Sequence, residues 1–349
     1  MRRRDLCAAL VGFQVSRATM RPAQAAGPAE DPNLGAKASL IPSGPVTSGA
    51  EGQIIEGLDI SAPVGSGIAV SHRGVTIRNC RVRHTTGHGI HGTEAQGLVL
   101  RDLEIVRVSG QGPNDRPRGF YNNIDLDRCA QASILRVRAS GGSSNIYIKE
   151  SEATHLSRLE LHDARGPFPR GQNVQFNRSP RSVLEDFSGE NGPSSWTEDN
   201  VSVFRSDGCT VRRGLVSYNN SPTGDGVMIE GSFDCLVEDV DAVQQGNGAF
   251  AAVPEDDAGS GGCTFRRCRT RATYNSARDG RAAPSSNGLS FYMLISQNAR
   301  RHTIIDCHYD ALANPDNLVW DSRSLNDDWA FTHQAFTPRR PIRLNFGWR

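Results

Sequence analysis

Apolar residues along this chain recur in one short unit instead of following a helical period. The segment Val75-Thr-Ile77-Arg-Asn-Cys80-Arg-Val82 places them at relative positions 0, 2, 5 and 7. The same template fits Gln53/Ile55/Leu58/Ile60, Leu98/Leu100/Leu103/Ile105, Ala132/Ile134/Val137/Ala139, Thr154/Leu156/Leu159/Leu161 and Ser182/Leu184/Phe187. It continues through Cys209/Val211/Val216, Cys235/Val237/Val240/Ala242, Cys263/Phe265/Cys268 and His302/Ile304/Cys307/Tyr309, which makes ten copies, mostly 22 to 28 residues apart. Strand alternation has period two, and a two-residue bend between two short strands resets which side chains point inward.

A third alternating stretch follows each copy after a variable, glycine-rich loop. Examples are Asn123-Ile-Asp-Leu126, Asn145-Ile-Tyr-Ile148, Asn173-Val-Gln-Phe176, Asn200-Val-Ser-Val203 and Gly226-Val-Met-Ile229. Three short strands per repeat predict an all-β, single-stranded right-handed parallel β-helix of about ten coils. Coils stacked at a strand spacing of about 4.8 Å turn equivalent positions into ladders. Cys209, Cys235 and Cys263 should stack inside, and Asn123, Asn145, Asn173 and Asn200 should form an external amide ladder. His302, at a core position, is expected to be buried and hydrogen-bonded. The repeat occupies residues 39–311. Residues 312–349 hold three of the four tryptophans and are expected to cap the open end.

Composition narrows the function classes. Lys+Arg is 39 against Asp+Glu 38, so no bulk field attracts nucleic acid. No apolar run reaches the length of a membrane span, and a monomer is expected. Lys37 and Lys149 are the only lysines. Residues 1–25 read as an export signal, with Arg3-Arg4-Asp5-Leu6 resembling the twin-arginine type and Ala23-Gln24-Ala25 as the cleavage site. Residues 26–38 form a linker, and the mature chain is expected in the periplasm or outside the cell. An unprocessed basic arm is the alternative.

The outward positions of the third strand give candidate chemistry. They read His91 and Thr93, Asp125 and Asp127, Tyr147 and Lys149, Gln175 and Asn177, with Ala69, Ser202, Met228, Glu230 and Phe250 on either side. Loops 108–122, 164–172, 189–199 and 275–287 precede this strand, and long loops along one solenoid face build a cleft. A proton shuttle through His88 and His91 competes with plain solvated imidazoles.

One loop carries a more specific string. Arg165-Gly-Pro167-Phe-Pro-Arg170 resembles the R-x-P-x-x-R motif of the pectate lyases. That resemblance implies Arg165 as the proton-abstracting base, Arg170 as its support, Asp125 and Asp127 as a Ca2+ pair, and Lys149 on the substrate carboxylate. Two coils separate the Asp pair from the Arg motif, and the family's other signature strings are missing. The run from Gly166 to Asn177 with Trp196–Ser206 is also similar to exported bacterial right-handed β-helix proteins with no assigned reaction. It directs attention to Arg170, Gln175, Glu198 and Asp199 as substrate contacts, with Asn177 beside them.

The expected function is an exported carbohydrate-active protein that binds an acidic polysaccharide. Its catalytic form would be a lyase, or an epimerase using Tyr147, His91, Asp125 and Lys149, that abstracts a proton next to a uronate carboxyl. The alternative is a non-catalytic glycan-binding or structural module. A hydrolase using Asp125 and Asp127 ranks last.

Overall fold

In the computed structural model the chain forms a β-solenoid of about ten turns. The structure describes residues 39–346, apart from 109–119, 167–170, 193–194, 196, 220–222, 272–288, 313–314, 317 and 341. The first two strands of each repeat belong to one 15-stranded sheet, and the third strands form a second sheet of eleven. In the middle of the rod each coil contributes one long strand, such as Ser133–Ser140, and one short strand, such as Ile146–Lys149. Each pairs in parallel with its equivalents one coil before and one coil after.

The bend inside the long strand has a clear backbone cause. The residue at relative position 4 has positive φ in all ten copies: Gly57, Asn79, Asp102, Arg136, Arg158, Asp186, Arg213, Asp239, Arg267 and Asp306. Gly takes this conformation freely and Asn or Asp tolerates it, whereas Arg is unfavourable there. Three of the arginines are compensated by bidentate pairing with the same corner of the preceding coil. Arg136 grips Asp102 at 2.7 and 2.9 Å, Arg213 grips Asp186 at 2.7 and 3.0 Å, and Arg267 grips Asp239 at 3.0 and 2.7 Å.

Template positions 0, 2, 5 and 7 fill one continuous core from Ile55 to Leu325. Cys209, Cys235 and Cys263 are buried in it, and all seven cysteines of the described residues are free thiols. His302 is fully buried, with Nδ1 accepting the Cys263 N–H at 3.2 Å and Nε2 2.9 Å from the Leu294 carbonyl oxygen.

Two expectations are corrected. The asparagine ladder is buried, not external. Asn123 donates to Asn145, Asn145 to Asn173 (both 2.7 Å) and Asn173 to Asn200 (2.9 Å), and His84 and Gln245 close its two ends. A turn with no apolar filler there needs amides that satisfy each other. Phe250 faces the core, where it pairs in register with Val227 and Phe291 and stacks on Phe291 at 5.2 Å. Gly248 pairs with Asp225, so the inward alternation starts one residue later than expected, at Phe250, and Ala251 faces outward.

The C-terminal segment is only partly a cap. Trp329 and Phe331 pack on the end of the core, with Phe331 edge-on to Phe291 at 5.0 Å, but Trp320 is 48 % exposed. Trp348 lies outside the described residues. Beyond His333 the chain turns back and straps the outer face of the long-strand sheet. Arg339 binds Asp241 at 2.8 Å, Arg340 reaches Glu190 at 3.2 Å, and the Leu344 N–H donates to Glu160 at 2.9 Å. The acidic side chains of that face supply the partners that draw the strap back along the rod.

Candidate functional site

Strand register turns the outward residues of the short-strand sheet into two parallel columns. One runs Ala69, His91, Asp125, Tyr147, Gln175, Ser202 and Met228. The other runs Thr93, Asp127, Lys149, Asn177, Phe204 and Glu230. His91, Asp125, Tyr147 and Gln175 are half-buried, whereas Ser202 and Met228 are buried, so the accessible stretch ends near Gln175.

A third polar column lies just before these strands. In it each side chain accepts the backbone N–H of its successor on the next coil. Asn122 donates to His88 Nδ1 at 3.2 Å, Ser144 to Asn122 Oδ1 at 2.9 Å, and Gln172 to Ser144 Oγ at 3.2 Å. Further along, Asp225 donates to Asp199 Oδ1 at 2.7 Å.

Asp125 is the meeting point at the N-terminal end. Its Oδ1 is 3.2 Å from His91 Nδ1, and its Oδ2 is 3.6 Å from His88 Nδ1 and accepts the Asn122 side-chain amide at 2.6 Å. The two imidazoles stack with centroids 5.0 Å apart, and Thr93 Oγ1 is 3.1 Å from His91 Nε2. Burial pushes Asp125 up, but His91, His88 and Asn122 outweigh it and the net shift is downward. The Asp125 bond raises His91 against burial, whereas burial lowers His88 against the Asp125 charge.

Glycines make this arrangement possible. Gly87 has φ +90 and lies so close to Gly65 that a Cβ would strike its backbone, and a Cβ on Gly89 would meet the Asn123 carbonyl.

The other expected residues sort by neighbour. Asp127 bonds Arg128 at 3.0 Å and Lys149 at 3.4 Å, so Asp125 and Asp127 share a strand face but serve separate partners. That arrangement does not fit calcium, which takes six to eight oxygen ligands. Tyr147 Oη accepts the Asn177 amide at 3.0 Å, and Gln175 donates to Ser202 at 3.3 Å. Arg165 is half-buried and its N–H donates to the Gly142 carbonyl at 2.7 Å, which seats its loop on the coil of Tyr147 and Lys149. Arg170 lies outside the described residues. Glu198 is half-buried beside Gln172, whose amide is 3.5 Å away, and Asp199 is buried, away from the accessible face.

A second titratable group joins Asp199 and Glu230, which the sequence offered separately, to Asp225, which it did not. Asp199, Asp225 and Glu230 lie on two adjoining coils, and Asp225 is fully buried with Oδ2 unpartnered. Burial, then the Glu198 and Glu255 charges, raise Glu230 to about 7. Burial raises Asp199 and Asp225 as well. The available signal was the residue preceding the ladder position, which is Asp in both Asp199-Asn200 and Asp225-Gly226.

No family model and no curated protein matches the sequence. The structure is similar to the Dettilon tailspike protein, with TM-score 0.56 and 7% identity over 84% of this chain and 61% of that one. The chain therefore spans about three fifths of that protein's length. It is also similar to the periplasmic alginate epimerase AlgG, with TM-score 0.46 and 10% identity over 76% of this chain and 69% of that one. A polygalacturonase from Erwinia carotovora ssp. carotovora aligns with TM-score 0.43 and 9% identity over 81% of this chain and 89% of that one. The first of these similarities, with the parallel stacked coils, shows architecture alone: the protein is a right-handed parallel β-helix.

Proposed function

We propose that the protein acts on an acidic polysaccharide laid along the accessible columns from His91 to Asn177, abstracting the proton next to a uronate carboxyl. The carrying observation is the placement of Tyr147 in one column with His91, two coils before it beyond Asp125, and with Lys149 two residues after it on the same strand face. A carboxylate must be neutralised before the adjacent C–H bond can break, and fixed positive groups do this. The Tyr147 oxygen, located by the Asn177 amide, takes that C–H proton as a phenolate after its own proton has passed to solvent, and in elimination hands it to the leaving oxygen.

The electron pair of the broken C–H bond is held on the carboxylate as an enolate. In elimination that pair forms the ring double bond as the glycosidic oxygen leaves with the proton. In epimerisation a proton returns on the opposite ring face, and Arg165 on the adjoining loop is the candidate donor. The test is incubation with polygalacturonate, alginate and other polyuronates in heavy water. Ultraviolet absorbance of an unsaturated product marks elimination, and deuterium at the carbon next to the carboxyl marks epimerisation. Neither signal on any uronate, with binding intact, would replace this reading with a glycan-binding module.

A further inference from the structure

We propose that His88, His91 and Asp125 form a divalent transition-metal site, of the kind zinc or cobalt occupies, at the N-terminal end of the accessible face. Among the described residues this is the one group of three or more His, Cys, Asp or Glu side chains whose ligand atoms converge, all within 4.8 Å of one another. The spacing fits a small ion. Zinc bonds of about 2.0–2.1 Å in a tetrahedron put neighbouring ligand atoms about 3.3 Å apart. His91 Nδ1 and His88 Nδ1 are 3.2 and 3.6 Å from the two Asp125 oxygens.

The surrounding bonds suit coordination too. His88 Nδ1 faces the Asn122 N–H, so it presents a lone pair, and the ion replaces that 3.2 Å contact. Thr93 Oγ1 stands 3.1 Å from His91 Nε2 and can accept its proton, which frees the His91 Nδ1 lone pair. Asn122 holds Asp125 Oδ2 at 2.6 Å. Such partners orient metal ligands and tune them. Two imidazoles and one carboxylate favour zinc, cobalt, nickel or iron over calcium. They also leave a fourth position, open to the face that carries Tyr147, for water or a sugar carboxylate.

The role of the ion in neutralising a uronate carboxyl rests on the reading above, but the existence of the site does not. The test therefore uses metal-stripped full-length protein without substrate, titrated with Zn2+ and Co2+ in a calorimeter and by visible absorption. One equivalent should bind, with a dissociation constant tighter than about 10 μM, and Co2+ should show the strong absorption of a four-coordinate ion. His88→Gln, His91→Gln and Asp125→Asn should each weaken binding more than about 100-fold, while His155→Gln, in an exposed Glu185 pair, should not.

No binding by the wild type, or undiminished binding by the folded variants, overturns the site. Should a variant unfold, the wild-type Co2+ spectrum decides, and a spectrum like that of the aqueous ion counts against the site. Metal binding without turnover would sink the proton-abstraction reading and leave the site. Turnover without metal binding would do the reverse.

Discussion

Asp125 and Asp225 lie on the same side of the same solenoid, yet they are opposite kinds of carboxyl. Asp125 is half-buried, bonded through both oxygens, and held below the ordinary carboxylate range by two imidazoles and an amide. Asp225 is fully buried, has one oxygen without a partner, and is pushed well above that range by burial and by Glu230. The contrast extends to their surroundings. The N-terminal stretch carries cations and hydroxyls on an accessible face. The C-terminal stretch adjoins buried Met228, Ala251 and Val253 packed with Tyr292 and Leu294. Backbone and register are shared, so neighbours and burial decide what each carboxyl can do.

The largest effect is expected where the two stretches share their frame. Asn173→Ala removes the middle of the amide ladder, leaves the Asn145 amide without its Asn173 acceptor and leaves Asn200 Oδ1 with Asn191 alone. Urea unfolding should show a loss of about 2–4 kcal/mol, and a loss confined to one half of the rod would break the idea of a common support.

Next in size is catalysis. Tyr147→Phe should lower polyuronate turnover by about 100-fold or more with little change in stability, and Glu230→Gln should lower it far less. The opposite ranking would move the chemistry to the buried acids.

The two stretches should also respond to pH with opposite sign. His84, at the end of the amide ladder near His88, is lowered to about 4 by burial, against bonds from Asn123 and Gly87. Its unfolded form takes up a proton first, so its contribution is full above about pH 6.5 and fades as pH falls towards 4. Glu230 is raised to about 7, so its contribution is full below the unfolded value near 4.5 and fades as pH rises through 7. Amide-exchange protection should therefore weaken around Ile90–Thr93 as pH falls from about 6.5 towards 4, and around Asp225–Glu230 as pH rises from about 4.5 through 7. Asp225→Asn should diminish the latter loss.

The smallest effect belongs to the half-buried Asp127–Lys149 pair. Asp127→Asn should cost less than about 1 kcal/mol by thermal unfolding, because solvent already screens its contact with Lys149.

Much of the rod was legible because core positions must alternate, and a stacked coil repeats its inward faces. The same rule puts His91, Asp125, Tyr147 and Gln175 on one face from the sequence alone. The misread features depended on register across loops of variable length. Gly248 falls one residue before the ladder position, and this placed Phe250 on the wrong side. The D-x-D spacing of Asp125 and Asp127 showed a shared face, but their partners come from separate rungs, His91 before and Lys149 after. The left-handed residue at position 4 was harder to see. Its Arg, Asp, Asn and Gly identities share no hydropathy, only a backbone angle and, in several coils, a charge partner one coil away.

The central claim is that the accessible N-terminal stretch, not the buried acids, receives an acidic polysaccharide. Hydrogen exchange read by mass spectrometry, with and without a polyuronate oligomer, tests it most directly. Protection should rise in Ile90–Thr93, Ile124–Asp127, Ile146–Lys149 and Val174–Asn177, and should stay unchanged in Asp225–Glu230 and Gly248–Val253. Protection confined to those last two strands would contradict the account.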